Sequence, residues 1–111
     1  MTNHKSDLLP QMTFSILFAL SLKPRHGYEL AQQIEQDSLG KVRPGAGALY
    51  GTIKLLREDN LIEEMPFESE NERRRYYRLT RKVLNRLTDE MDYFKNTVRL
   101  ARERKLLDGN R

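Results

Sequence analysis

The chain has 111 residues, of which 38% are hydrophobic and 32% charged, and its formal net charge is +4. This composition indicates one small folded domain, and the lack of cysteine excludes disulfides and thiolate metal sites. The longest apolar stretch, residues 14–22, is too short to span a bilayer, and the opening residues MTNHKSD lack the pattern of a secretory signal. We therefore expect a cytoplasmic protein whose small core is supported by oligomerisation.

The first half of the chain is predicted to form three short helices. The first starts at Pro10, and the second runs from residue 28 to about Ser38 and is ended by Gly40. After the turn-forming segment KVRPGAGA, the third ends near Asn60, a residue that tolerates left-handed geometry. The apolar residues at helical spacing are Met12, Ile16, Leu17 and Leu20, then Tyr28, Leu30, Ala31 and Ile34, then Leu49, Tyr50, Ile53 and Leu56.

A reversal of charge marks the next segment. Residues 58–72 contain seven acids and no base, whereas residues 73–86 contain seven bases and no acid. Both blocks include β-forming residues and flank a polar turn, so we predict a hairpin with strands at residues 61–67 and 73–79 and with Pro66 at an edge. Alternation puts Arg74, Tyr76 and Arg78 on one face and Arg75, Tyr77 and Leu79 on the other.

The hairpin supports two interpretations that the sequence leaves open. A return strand rich in arginine and tyrosine can follow a phosphate backbone, which indicates nucleic acid as a partner. Alternatively, Glu63 and Glu64 pair with arginines across the hairpin, in surface interactions worth about 0.2–1 kcal/mol each. Acids at the hairpin tip would repel phosphates, and our hypothesis is that the tip lifts away from DNA while the stem follows the backbone. These acids are Glu68, Glu70 and Glu72.

A final helix of about 28 residues is predicted from Thr80, its N-cap, with a length of roughly 40 Å. Its apolar residues fall at alternating spacings of three and four, the pattern of a coiled-coil seam. A second copy would fill this seam and form a homodimer; the alternative is that the stripe packs on the first helix of the same chain, and both can hold together. The seam consists of Leu84, Leu87, Met91, Phe94, Val98 and Ala101. We thus divide the chain into a domain at residues 1–79 and a dimerisation helix with a short tail at residues 80–111.

Helix, helix, turn, helix and hairpin is the order of a winged helix-turn-helix domain, a mainly α (α+β) fold with a two-stranded wing. The segments PRHGYELAQQI, GALYGTIKLLREDNLIEE and ERRRYYRLT resemble the PadR family of transcriptional regulators, in particular its short members with a single C-terminal helix. The resemblance implies a homodimeric, sequence-specific DNA-binding regulator. It further implies a repressor on a near-palindromic operator, often relieved by a small-molecule effector.

The resemblance also implies roles for individual residues. Tyr50 matches the family's tyrosine in the recognition helix, and Lys54 is the candidate for a base edge or phosphate, with a solvated lysine as the alternative. For His26 a local role at the helix start is favoured over phosphate contact, and for Tyr28 the alternative to DNA contact is a place in the core. The implied DNA-contacting residues are Tyr28, Gly47, Ala48, Tyr50, Gly51, Lys54, Arg73, Arg74, Arg75, Tyr76 and Arg78.

Catalysis has little support in the sequence. His4 and His26 have no ligand-spaced partner, and the glycines of GAGALYG lack the lysine and hydroxyl residue of a phosphate-binding loop. We expect no enzyme, metal or cofactor, and our second hypothesis is a winged helix that binds protein rather than DNA. The aromatic residues Tyr93 and Phe94, near the first helix, indicate either an effector site or plain dimer core.

Overall fold

The computed structural model describes residues 7–65 and 75–107, which form four α-helices and a small antiparallel sheet. In chain order the elements are α1 (Gln11–Leu20), β1 (Arg25–His26), α2 (Gly27–Asp37), α3 (Ala46–Glu58), β2 (Ile62–Glu64), β3 (Tyr76–Leu79), a 3-10 turn (Arg81–Val83) and α4 (Leu84–Glu103). This order confirms the predicted winged helix-turn-helix fold with a long C-terminal helix. No helix of the described ranges has the length and apolar character that crossing a membrane requires.

The core is built around α1, which packs against α2, α3, β3 and α4. Its two central residues, Ile16 and Leu17, have no solvent exposure, because this helix is apolar on more than one side. Leu30 of α2 and Ile62 of β2 close the core from opposite directions, and both are at most 1% exposed. The arrangement presses the inner side of α3 against α1 and leaves its outer side in solvent.

Two helix ends show how local sequence sets the chain's path. Asn60 has a φ of +61°, which confirms the left-handed end predicted for the third helix. At the end of α2 the prediction named Gly40, whose φ is +79° and whose N–H donates to the carbonyl of Glu35 over 2.8 Å. The left-handed stretch begins one residue earlier, at Leu39, with a φ of +55° and a side chain that is 87% exposed. A bulky residue in this conformation is strained, and nothing covers its side chain in compensation.

The sheet has the strand order β1-β3-β2, so that β3 lies in the middle. The hairpin pairs Glu63 with Arg78 and Glu64 with Tyr77, which fixes the register that the sequence left open. β1 was missed by the prediction because its two residues lie between Pro24 and Gly27, and only pairing with the distant β3 makes them a strand. Residues 66–74 lie outside the described part of the chain, so the acidic tip, Arg73 and Arg74 are predictions that the structure does not address.

The final helix was predicted too long and with the wrong start. α4 has 20 residues, about 30 Å, and follows a 3-10 turn instead of continuing from Thr80. Thr80 makes no side-chain cap; its hydroxyl lies 2.7 Å from the carbonyl oxygen of Asn60 and 3.1 Å from that of Leu61. It therefore ties the end of β3 to the start of β2. α4 ends before Lys105, which is left-handed with a φ of +62°.

Candidate nucleic-acid interface

The outer face of α3 carries small side chains and one lysine. Leu49, Ile53 and Leu56 turn inward and are at most 3% exposed. Gly47, Gly51 and Lys54 are exposed on the other side, and Tyr50 beside them is 50% exposed. The predicted recognition-helix residues therefore share one accessible surface, with Ala48 exposed at its edge.

The glycines of this face have no role in the internal packing that the structure describes. A Cβ built on Gly47 or on Gly51 would meet no atom within 4 Å, and neither residue has a positive φ. Glycine inside a helix costs about 1 kcal/mol relative to alanine. Neither conformation nor packing among the described residues therefore requires glycine at these two positions.

The first turn of α3 also presents unsatisfied backbone donors. The helix begins after Gly45, which provides no side-chain cap, and its first turn has no acidic residue. The N–H groups at the start of a helix and the positive end of its dipole both favour an anion. Because Lys54 lies further along the same face of the helix, the outer side of α3 is suited to a polyanionic partner.

Tyr50 interlocks with the start of α2. A Cβ on Gly27 would lie 2.0 Å from the hydroxyl oxygen of Tyr50 and 2.6 Å from its Cζ, so only glycine leaves room for the ring. This contact fixes the helix that carries the surface against the preceding helix. The sequence predicted Gly27 only as one of the residues that separate the first two helices, and its contact with Tyr50 was missed.

His26 has a local role at the start of α2, as the favoured interpretation had it. The ring is 3% exposed, its Nδ1 accepts the Glu29 N–H over 3.3 Å, and the Glu29 carboxylate accepts the His26 N–H over 3.4 Å. The two residues form a capping box. The alternative that placed Tyr28 in the core is wrong, because its side chain is 66% exposed at the first turn of α2.

In the described part of the wing, acids of β2 pair with arginines. Arg78 donates from Nε to Glu63 over 2.7 Å, and Arg75 donates from Nη1 to both oxygens of Glu64 over 3.2 and 3.3 Å. Arg57 of α3, for which the sequence predictions had no role, also reaches Glu64 over 3.4 Å. The pairing predicted as the alternative to phosphate contact is thus present for Arg75 and Arg78.

The tyrosines of β3 serve the fold more than the surface. Tyr76 is half-buried and packs edge-on against His26, with ring centroids 5.2 Å apart. Tyr77 is 4% exposed, and its burial, followed by the nearby Glu64 carboxylate, raises the pKa of its hydroxyl. Tyr76 was predicted to contact DNA; the structure places it at the junction between the wing and α2.

Comparison with known proteins agrees with this geometry. The model of the transcriptional regulator PadR-like family matches residues 16–89. The chain belongs to the PadR-like family of transcriptional regulators. Among curated proteins it is 38% identical over 52 residues to the transcriptional regulator YqjI of Escherichia coli (strain K12); the match covers 47% of this chain and 25% of that protein. The chain thus spans about a quarter of the length of the curated relatives it matches.

Two solved structures share the fold of this PadR-like chain. A PadR family transcription regulator from Clostridium difficile R20291 superposes with a TM-score of 0.71 at 22% identity, over 85% of this chain and 97% of that one. A transcriptional regulator from Clostridium thermocellum gives a TM-score of 0.66 at 21% identity, over 82% of this chain and 89% of that one. These similarities support the winged-helix architecture, including the C-terminal helix.

The residues of the predicted seam of α4 differ in exposure in this PadR-like chain. Leu87 is 7% exposed and belongs to the core of its own chain, and Met91 is half-buried; their place in a dimer interface stays a prediction. Phe94 packs edge-on against Phe14 of α1 with ring centroids 5.4 Å apart, yet it remains 40% exposed. Val98 is 39% exposed. The remaining predicted seam residues are the exposed Leu84 and the half-buried Ala101.

A buried acid interrupts the apolar stripe of α4. Glu90 is 3% exposed, accepts the Leu9 N–H over 3.0 Å and lies 3.7 Å from Arg86. Arg86 in turn donates to the backbone carbonyl of Asp7. The group fastens the segment before α1 to α4, and a carboxylate at helical spacing between Leu87 and Phe94 was the signal that could have found it.

A half-open cavity of about 190 Å³ lies between α1 and the end of α2. Its apolar lining includes Phe14, Phe18, Ile34 and Val42, and Asp37 is its charged residue. Phe14 thus contacts both the cavity and Phe94 of α4. Among the residues that the structure describes, no cluster of histidine and acidic side chains could hold a metal ion.

Proposed function

We propose that this PadR-like chain is a sequence-specific DNA-binding transcriptional regulator, a repressor that acts as a homodimer on a near-palindromic operator. The observation that carries the proposal is the outer face of α3, where Gly47 and Gly51 have no internal reason to be glycine. Small residues on an exposed helix allow its backbone to approach another surface closely. A DNA groove is the surface that the net charge of +4 and the family favour.

In this proposal α3 lies in the major groove and the wing follows the adjacent backbone. The uncapped first turn of α3 and the exposed Lys54 are the groups suited to phosphate and to base edges. Tyr50 gives α3 its position through Gly27 and presents the exposed half of its ring to the groove. Residues 1–79 thus form the DNA-binding unit.

The exposed apolar residues in the distal half of α4 support the proposed dimerisation. Phe94 and Val98 are each about 40% exposed, which is unfavourable for large apolar side chains on a helix in water. A second copy of α4 would cover them. Two recognition helices related by a two-fold axis would read half-sites roughly 34 Å apart, and a dimer bound across a promoter blocks access to it.

The proposed regulator also responds to a small-molecule effector. The cavity beside Phe14 is of the size that holds a single aromatic ring, since a dry cavity of about 150 Å³ binds benzene. A ligand there would contact α1, and Phe14 would link it to Phe94 of α4, the helix proposed to form the dimer. Phe18→Ala, which enlarges the cavity, should change the response of DNA binding to small aromatic compounds without removing DNA binding itself.

The second candidate function is a winged helix that binds protein and not DNA. The ion pairs of Arg75 and Arg78 with the acids of β2 favour it, because they neutralise charges that would otherwise face phosphate. Titration of a labelled duplex from the promoter of the protein's own operon, at two salt concentrations, separates the candidates. A regulator binds this duplex more tightly than random DNA and loses affinity steeply as salt rises. Absence of a specific complex would reject the regulator.

The role of Lys54 has a separate test. Lys54→Ala should change the ranking of operator variants, whereas Lys95→Ala, which removes the same charge from an exposed position on α4, should leave the ranking unchanged. Equal losses on operator and random DNA would mean that Lys54 contacts phosphate and reads no base.

A further inference from the structure

The two acids of β2 have different partners. Glu63 lies directly opposite Arg78 in the hairpin, and the two side chains are each almost half exposed. Glu64 is less exposed, at 23% of its side chain, and receives both Arg75 of the wing and Arg57 of α3. In the described part of the hairpin and α3, each acid thus engages the arginines that face it.

These pairs compete with DNA for the same donors. The Nε of Arg78 and the Nη1 of Arg75 donate to carboxylates, so those groups must leave their partners before they can donate to a phosphate. The net charge of these five side chains is one positive unit, because three are guanidinium groups and two are carboxylates. They are Arg57, Arg75, Arg78, Glu63 and Glu64.

We propose that Glu63 and Glu64 set the DNA affinity of the wing by withholding Arg78 and Arg75 from the phosphates. This inference rests on the proposed function as a DNA-binding regulator. Glu63 acts by withholding, since its partner among the described residues, Arg78, is on the neighbouring strand. Glu64 has a second role as a positioning residue, because its contact with Arg57 ties the wing to the helix that enters the groove.

The test compares wild type with Glu63→Gln on a fluorescein-labelled random-sequence duplex across a range of salt concentrations. The freed Arg78 should tighten binding roughly two- to five-fold at low salt, the factor that corresponds to one surface ion pair. The slope of log affinity against log salt should steepen by about 0.9, the value for one additional phosphate contact. Glu64→Gln should also steepen the slope, whatever it does to the absolute affinity.

Glu103→Gln is the matched control. Glu103 pairs with Arg99 over 2.6 Å on α4, both side chains being 59% exposed, so the variant removes one charge and one surface ion pair elsewhere. In an Arg78→Ala background, Glu63→Gln should have no more effect than Glu103→Gln, because the arginine through which it acts is gone.

The outcomes separate the two proposals. If wild type binds neither the random duplex nor the promoter duplex, the regulator itself is refuted and the inference falls with it. If wild type binds but Glu63→Gln matches Glu103→Gln in affinity and slope, only the inference is overturned. A gain that persists in the Arg78→Ala background likewise overturns it, since the carboxylate would then act through bulk charge.

Discussion

Gly27→Ala tests whether the contact of the Tyr50 ring with Gly27 of α2 determines the DNA affinity of the proposed interface. The new methyl group would lie 2.0 Å from the Tyr50 hydroxyl oxygen, whereas heavy atoms in ordinary contact are about 3.5–4.0 Å apart. The hydroxyl must therefore withdraw by about 1.5 Å or more. Because the obstructing atoms are at the free end of a side chain that is 50% exposed, the ring can swing toward solvent without moving the backbone.

The expected free energies separate stability from binding. Moving the ring costs about 0.5–1.5 kcal/mol in rotamer strain, and alanine in place of glycine returns up to about 1 kcal/mol in a helix. The free energy of unfolding should therefore fall by no more than about 1.5 kcal/mol. The displaced ring, however, occupies the face proposed to meet DNA, where loss of one good base contact would cost about 1–3 kcal/mol. We expect DNA affinity to fall roughly tenfold, which is about 1.4 kcal/mol.

A double-mutant cycle with Tyr50→Ala identifies the cause. Thermal unfolding and duplex titration would be measured for wild type, Gly27→Ala, Tyr50→Ala and the double variant. If the methyl group acts by displacing the ring, Gly27→Ala has no further effect on DNA affinity once Tyr50 is alanine. Wild-type affinity in Gly27→Ala, or the same loss in both backgrounds, would show that displacement of the Tyr50 ring does not control DNA binding.

Leu39→Gly should raise the free energy of unfolding by about 1 kcal/mol, because it removes the strain of a left-handed leucine that is 87% exposed. Leu22→Gly is the control, since Leu22 is exposed but has no positive φ, and it should not stabilise the fold. Equal melting temperatures for the two variants would contradict this prediction. Gly51→Ala should stabilise α3 by up to about 1 kcal/mol in thermal unfolding and should weaken duplex binding. Undiminished binding would show that Gly51 is not needed for a close approach of α3 to DNA. Val98→Lys should yield a monomer in analytical ultracentrifugation with helical content unchanged; a persistent dimer would show that another surface pairs. Since burial raises the pKa of Tyr77, the folded state holds that proton more tightly than the unfolded state. The contribution of Tyr77 to the free energy of unfolding is therefore fully present below its ordinary pKa of 10.0 and is lost as pH rises through the raised pKa of the folded state. Tyr77→Phe should reduce this loss of stability in alkaline denaturation.

Local patterns predicted what depends on neighbours in the sequence. The apolar spacing located the three short helices, and the left-handed end at Asn60 followed from its residue type alone. β1 was missed because its strand character comes only from pairing with β3, about 50 residues later. The strained Leu39 was also missed, since residue preference names the adjacent glycine as the helix end.

The site shows the same division between local pattern and tertiary contact. The family resemblance grouped Tyr50, Gly51 and Lys54 on α3, and all three are exposed, although helical spacing alone had placed Tyr50 with the apolar residues. The fit of Tyr50 onto Gly27 depends on how two helices cross, which no spacing encodes. In α4 a regular apolar stripe could not reveal that Leu87 packs on its own chain while Val98 remains exposed, because both positions satisfy the same pattern.

The contacts of α1 indicate how the two ends of the molecule can communicate. α1 packs against both α3 and α4, and its Phe14 joins the cavity to Phe94 of α4. Its residues Ile16 and Leu17 have no exposure, so a shift of α1 cannot be absorbed by empty space around them. A ligand in the cavity, or a change in how two α4 helices pair, would therefore reach α3 as a displacement of α1. If the proposed dimer is coupled to a ligand in this way, that ligand should bind the DNA-bound and DNA-free forms of the dimer with different affinities.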